Sequence, residues 1–153
     1  MLDTINEFFE RMTGRAPNDQ DREMTLELAV AALMCEVMRA DGDMRDIEQQ
    51  TLREMLKRRF DLDAHAVETL VDMARQQVED SVDHYRFVRL IREEYGYPQR
   101  VALVGRLWRM AYADGDLDPL EEARVRKLAE LLYVDHADFI MQKLEVQQSL
   151  GLA

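Results

Sequence analysis

Cysteine, proline and glycine are scarce in this sequence, and each shortage narrows what the protein can be. The 153 residues include one cysteine, three prolines and six glycines. A single cysteine excludes an internal disulfide, which is typical of a reducing compartment, and we expect Cys35 to be a small buried hydrophobe. Because helix breakers are few and good helix formers such as Ala, Leu, Met and Glu dominate, the composition predicts an all-α fold.

Long apolar runs and an excess of basic charge are also missing. The longest apolar stretch, residues 28–38, is interrupted by Glu36 and is too short to cross a bilayer. No basic leader precedes the N-terminal segment, so we expect no signal peptide, no membrane insertion and a cytoplasmic location. The net charge of -11 disfavours nucleic acid and anionic membrane surfaces. Cations and basic protein surfaces are the partners that this charge favours.

Apolar residues recur at helical spacing along the whole chain. The pattern predicts an amphipathic N-terminal helix within residues 1–13, docked on the domain core, and seven further helices. Gly96 is expected to end one of these helices and Pro98 to open the next. Because no long linker or low-complexity segment interrupts the pattern, residues 1–153 are predicted to form one domain. Six of the seven helices are expected to end near residues 40, 60, 79, 94, 113 and 149, and the remaining one is expected to begin near Asp118-Pro119.

The tetrapeptide Ala-Asp-Gly-Asp occurs twice, at residues 40–43 and 113–116, with an offset of 73 residues. Each copy ends one apolar helical run and begins another, and the same offset relates Glu48 to Glu121. The duplication predicts two related helix–loop–helix halves, about 22–80 and 97–148, related by a pseudo-twofold axis. The apolar pairs that match across the halves are Val30 with Leu103, Met34 with Leu107, Cys35 with Trp108, Val37 with Met110, Leu52 with Val125, Met55 with Leu128 and Phe60 with Tyr133. With one residue added in the first copy, Leu62-Asp63 matches Val134-Asp135.

Two interpretations of the acidic loops are open, and in the first the acids cap helices. Asp118-Pro119-Leu120-Glu121 is typical of a capping box with proline at the first helical position. Residues 43–46 fit a capping box in the first copy. Gly42 and Gly115 would supply the positive φ that ends the preceding helix. In this interpretation no metal is bound.

In the second interpretation the loops bind a cation. Each copy matches the second half of an EF-hand calcium loop, with an oxygen donor, the turn glycine, an apolar anchor and a glutamate. The first half is missing, because Val37, Arg39, Met110 and Tyr112 stand where ligands should be. A calcium ion takes about six to eight oxygens, so the site would also need Glu36, the other loop, water or a partner's oxygens. Ca²⁺ or Mg²⁺ is favoured over a transition metal, because the loops lack His and Cys.

Two Ala-Asp-Gly-acid loops, each followed by glutamate on an all-helical chain, resemble the tellurite-resistance protein B (TerB) family, and more narrowly a bacterial branch of it. Residues 112–121 and the following Leu131-Leu-Tyr-Val134 carry the resemblance most strongly, and it extends over about 26–144. It implies an all-α fold in two pseudo-symmetric halves and association with stress-response and membrane-linked complexes. It also implies an acidic cluster that binds a divalent metal, with the candidate ligands Asp41, Asp43, Glu48, Asp114, Asp116 and Glu121.

The sequence contains no motif that indicates catalysis. A P-loop, a dinucleotide fingerprint and a nucleophile elbow are all missing, and His65, His84 and His136 are scattered. The sequence makes no prediction of oligomeric state. We therefore expect a non-enzymatic TerB-like module that binds a divalent cation, a partner protein, or both. A metal-dependent hydrolase that uses the same carboxylates, and a structural interaction domain without metal, are the alternatives.

Overall fold

In a computed structural model of the chain, residues 19–39, 46–80, 85–113 and 115–152 are described, with the backbone alone for 19–25, 77, 79, 80, 85 and 86. The described residues form seven α-helices and no strand, which confirms the predicted all-α fold. The predicted N-terminal helix within residues 1–13 lies outside the described residues. The helices are α1 (Asp19–Met38), α2 (Asp46–Phe60), α3 (Ala64–Asp80), α4 (Tyr85–Glu94), α5 (Tyr97–Ala111), α6 (Pro119–Leu131) and α7 (His136–Ser149).

Gly96 opens α5 instead of ending α4, so the sequence-based prediction for this glycine is wrong. Its backbone is extended, with φ of -72°, and it occupies the N-cap position. The Gly96 amide donates to Oε1 of Gln99 at 2.8 Å, as in a capping box, and Pro98 lies in the first turn. Because glycine has no side chain, this bond to Gln99 is the half of the capping box that can form at Gly96.

The C-terminal ends of α2 and α6 have the same backbone geometry. Asp61 and Tyr133, which follow these helices, adopt left-handed backbone angles with φ of 52° and 57°. After each of them, the next amide donates to a carbonyl five residues earlier, at 3.2 and 3.0 Å. The structure thus matches Tyr133 with Asp61, whereas the sequence alignment matched it with Phe60. This one-residue shift agrees with the residue added to the first copy to match Leu62-Asp63 with Val134-Asp135.

The helices that precede the two acidic loops form the centre of the domain. α1 packs against α3, α4 and α5, and every residue from Leu28 to Cys35 is buried. α5 packs against α7, α6 and α1. In addition, α1 contacts α6 and α2 contacts α5, so each central helix touches the helix that follows the other loop. Within the described ranges, no helix combines the length and the apolarity needed to cross a membrane.

α5 is held beside α7 by polar contacts at both of its ends and by a buried indole between them. The Tyr97 hydroxyl donates to Asp138 at 2.5 Å at one end. Gln147 donates to the Tyr112 hydroxyl at 2.7 Å at the other. Between them the buried Trp108 Nε1 donates to a backbone carbonyl of α7 at 3.1 Å. The N-terminal ends of α5 and α7 contact each other, and so do their C-terminal ends. The two helices therefore run in the same direction.

Candidate functional site

The second acidic loop turns on Gly115. Its φ of 87° confirms the predicted positive value, and its amide donates to the carbonyl of Tyr112 at 2.9 Å. L-residues with a side chain rarely adopt this backbone angle, which explains the glycine. The turn leads to Asp116, whose side chain is exposed. Gly42, the corresponding residue of the first copy, lies outside the described residues.

Asp118 caps the helix that follows this loop. Its Oδ1 accepts from the amide of Leu120 at 2.8 Å and from that of Glu121 at 3.4 Å. Pro119 occupies the first helical position, where its missing N–H is not needed. The capping interpretation is therefore confirmed for Asp118. The capping box predicted for residues 43–46 falls mainly outside the described ranges.

Glu48 and Glu121 are the most deeply buried carboxylates of the described residues, at 1% exposure each. Both lie at the third position of their helix, α2 or α6, directly after an acidic loop. A carboxylate here faces the positive end of the helix dipole, which favours its ionised form. Taking such a charge out of water is costly, so the fold must provide polar or cationic neighbours for it. Each of these two helices therefore holds one buried acid in its first turn.

An ion pair joins the end of α1 to the second turn of α6. Nη1 of Arg124 donates to Oε2 of Glu36 at 2.9 Å, and the Glu36 side chain is only 14% exposed. The sequence singled out Glu36 as an additional oxygen donor but missed Arg124. No local pattern could indicate this contact, because the partners are 88 residues apart. The pair brings the helix end before the first loop beside the helix start after the second.

The six predicted ligands divide into two groups. Asp41, Asp43 and Asp114 lie outside the described residues. Glu48, Asp116 and Glu121 are described, with the glutamates buried and the aspartate exposed. Among the residues with described positions, no three Asp, Glu, His or Cys side chains come together as a metal site requires. The described acids can cap helices by themselves, and they would bind a cation only together with the loop aspartates.

Comparison with known proteins identifies the family. The family model described as tellurite resistance protein TerB matches residues 27–144, more than three quarters of the chain. The chain belongs to the TerB family. The TerB match begins within α1, ends within α7 and includes both acidic loops and all six predicted ligands. Neither a curated protein nor a solved structure matches the chain.

Proposed function

We propose that this TerB-family chain is a non-enzymatic module that binds a divalent cation at its acidic loops and contacts a protein partner beside them. The burial of Glu48 and Glu121, each 1% exposed and in the same position after its loop, is the observation that carries the proposal. Helix capping needs an oxygen near backbone amides but does not need a buried charge in both halves. A cation near each buried carboxylate would offset the cost of its desolvation.

The crosswise packing of the central helices supports a contribution from both loops. One loop offers fewer oxygens than the roughly six to eight that calcium takes. The Glu36–Arg124 pair, at 2.9 Å, joins the helix end before one loop to the helix start after the other. We therefore expect the two loops to lie at the same end of the bundle, where their oxygens could be shared or bridged by water. Ca²⁺ and Mg²⁺ fit this all-oxygen donor set better than transition metals do.

Calorimetric titration of the full chain with Ca²⁺, Mg²⁺ and Mn²⁺ tests the cation proposal. We expect binding heat and a higher melting temperature for the wild type. In the double variant Asp41→Asn, Asp114→Asn, affinity should fall at least about tenfold, because each substitution removes an anionic ligand. The matched control is Asp72→Asn with Glu130→Gln, two exposed acids outside the loops, and it should bind like the wild type.

Two results would overturn parts of this proposal separately. A wild type without binding heat or thermal shift would leave the loops as helix caps in a structural interaction domain. Metal-stimulated turnover on a panel of phosphoesters, lost in the loop double variant, would contradict the non-enzymatic assignment and favour a metal-dependent hydrolase.

Exposed aliphatic side chains beside both buried glutamates support a protein partner. Ile47 is 45% exposed and Leu120 is 57% exposed, each directly before the buried acid of its helix. Together with the net charge of -11, they favour a partner segment that is basic and carries an apolar residue.

Capture from bacterial lysate at low and high salt, with identification by mass spectrometry, tests the partner proposal. A specific partner should be lost at high salt and in Leu120→Ser, but retained in Met141→Ser, which alters an exposed apolar residue on α7. Equal capture by both variants would place the contact elsewhere on the molecule and contradict the proposal.

A further inference from the structure

A second candidate site lies at the opposite end of the bundle from the acidic loops. A cleft of about 380 Å³ is formed where the C-terminal ends of α2 and α4 meet the N-terminal half of α1. Along α1, the distance from Leu26 in the cleft to Met38 is about 18 Å at 1.5 Å per residue. We call it the Tyr95 cleft, and its lining residues include Leu26, Arg59, Phe60, Asp61, Glu94 and Tyr95.

Two residues that line the Tyr95 cleft carry buried polar atoms that are not satisfied by the rest of the described chain. Tyr95 is 5% exposed, and its hydroxyl has no hydrogen-bond partner within the described ranges. Oε1 of Glu94 is likewise buried without a partner there. Leaving such a group unsatisfied costs about 1–3 kcal/mol, so native proteins rarely do so without a reason. The Tyr95 hydroxyl can donate a hydrogen bond, and the Glu94 carboxylate oxygen can accept one.

The largely buried guanidinium of Arg106 lies near Tyr95. Nε and Nη2 of Arg106 are buried and have no acceptor in the described part of the chain. Burial lowers the pKa of Arg106, the nearby Tyr95 raises it, and the positive charge of Arg59 lowers it further. The guanidiniums of Arg59 and Arg106 repel each other, and a bound carboxylate close to both would offset that repulsion.

We propose that the Tyr95 cleft binds a small zwitterion with an apolar side chain, such as a free α-amino acid. The carboxylate of the ligand lies against the Tyr95 hydroxyl and Arg59, with Arg106 behind them. The ammonium group lies against Glu94 and Asp61. A simple anion is disfavoured because two carboxylates line the cleft, and a simple cation is disfavoured by the two arginines.

The apolar part of the ligand has its own surface. Leu26 and Phe60 line the same cleft, and the Arg59 guanidinium lies over the Phe60 ring at 5.5 Å, a contact that favours this position. The volume lies within the range of pockets that hold small molecules. This site is independent of the cation proposal, because none of its residues belongs to an acidic loop.

Calorimetry and thermal shift on the full chain with L-leucine and L-phenylalanine test the proposal. Two comparison compounds isolate each charge: 4-methylpentanoate is leucine without its ammonium group, and isopentylamine is leucine without its carboxylate. We expect the amino acids to bind and to raise the melting temperature, and both comparison compounds to bind at least about tenfold more weakly.

Three variants locate the site. Tyr95→Phe removes only the hydroxyl, and Glu94→Gln removes only the charge, so both should fold and weaken amino-acid binding about tenfold. Tyr112→Phe, which removes the hydroxyl of a second buried tyrosine, at the C-terminal end of α5, should bind like the wild type.

The proposal is overturned if neither amino acid binds the wild type. It is also overturned if 4-methylpentanoate binds as tightly as leucine, which would indicate a plain anion site. Unchanged binding in both Tyr95→Phe and Glu94→Gln would move the ligand to another surface.

Discussion

Burial determines the chemistry of Cys35. Its side chain is 0% exposed, which confirms the predicted buried hydrophobe. Burial raises the pKa of the thiol to about 12; Arg75 and Arg39 oppose the shift and Glu36 adds to it. The thiolate, the reactive form of cysteine, is therefore almost unpopulated in the folded protein at neutral pH.

We expect the native protein to be inert to thiol reagents and to react only when it unfolds.

The raised pKa of Cys35 also makes the stability of the protein fall at high pH. Above the ordinary value of 9.0 the unfolded thiol loses its proton, while the folded thiol keeps it up to about pH 12. Measured by urea unfolding, the stability of the wild type relative to Cys35→Ala should be constant below that range and decrease within it. A relative stability that rises over the range would contradict the assignment.

Two aspartates at helix starts offer a matched test of capping. Asp118 accepts two backbone hydrogen bonds, whereas Asp135, the N-cap residue of α7, accepts none with its side chain. We expect Asp118→Ala to lower the free energy of unfolding by about 1 kcal/mol. For Asp135→Ala the loss should be below about 0.5 kcal/mol, because only a favourable charge near a helix start is removed. Equal losses in thermal or urea unfolding would show that the Asp118 bonds contribute little.

At the scale of elements, Gly105 on α5 leaves room for a side chain of α7. A Cβ at this buried position would collide with Oε1 of Gln142, the mobile end of a flexible side chain. Within the described ranges, the side chain of Gln142 makes a 3.4 Å hydrogen bond to Glu145. The glycine therefore leaves room for the neighbouring helix and costs α5 some helix propensity.

We expect Gly105→Ala to change stability by less than about 1 kcal/mol, because the gain in helix propensity offsets the displacement of Gln142. Gly105→Leu should destabilise by about 1–3 kcal/mol, because the larger side chain pushes α7 away. Thermal unfolding followed by circular dichroism distinguishes these outcomes. A leucine variant as stable as the wild type would show that the two helices are not in close contact here.

The helices were predictable from the sequence because each carries an apolar face at helical spacing. Predicted ends near residues 60, 79, 94 and 149 agree with the structure within one residue. Gly96 was misjudged because glycine is common both before and after helices, and the choice depended on Gln99 three residues later. The left-handed residue Tyr133 gave no signal, since an aromatic side chain rarely adopts that conformation.

The candidate sites were less predictable than the helices. The repeated loops pointed to Glu48 and Glu121 because a fixed offset relates them, but the sequence did not indicate their burial. Arg124 and the Tyr95 cleft were not foreseen, because they depend on contacts between distant parts of the chain. The cleft collects residues from three separate segments, near 26, 60 and 95.

For the molecule as a whole, the Glu36–Arg124 ion pair joins the two halves. The side chain of Arg124 is 34% exposed, so solvent screens part of the attraction. A double-mutant cycle with Glu36→Gln and Arg124→Met should give a coupling energy of about 1 kcal/mol. The control cycle on Arg89 and Glu93, an ion pair at 3.7 Å within one helix, should give at most about 0.5 kcal/mol. Equal couplings would mean that the pair does not help to hold the halves together.

Because its only cysteine is buried, the folded protein behaves chemically as a cysteine-free background. Cysteines introduced by Ile47→Cys and Leu120→Cys, at two exposed positions, would be the only thiols accessible to a nitroxide label. Pulsed electron paramagnetic resonance on the doubly labelled chain would then give the spacing between the helix starts beside the two acidic loops. A comparison of this distance with and without Ca²⁺ would show whether a bound ion draws the two halves together.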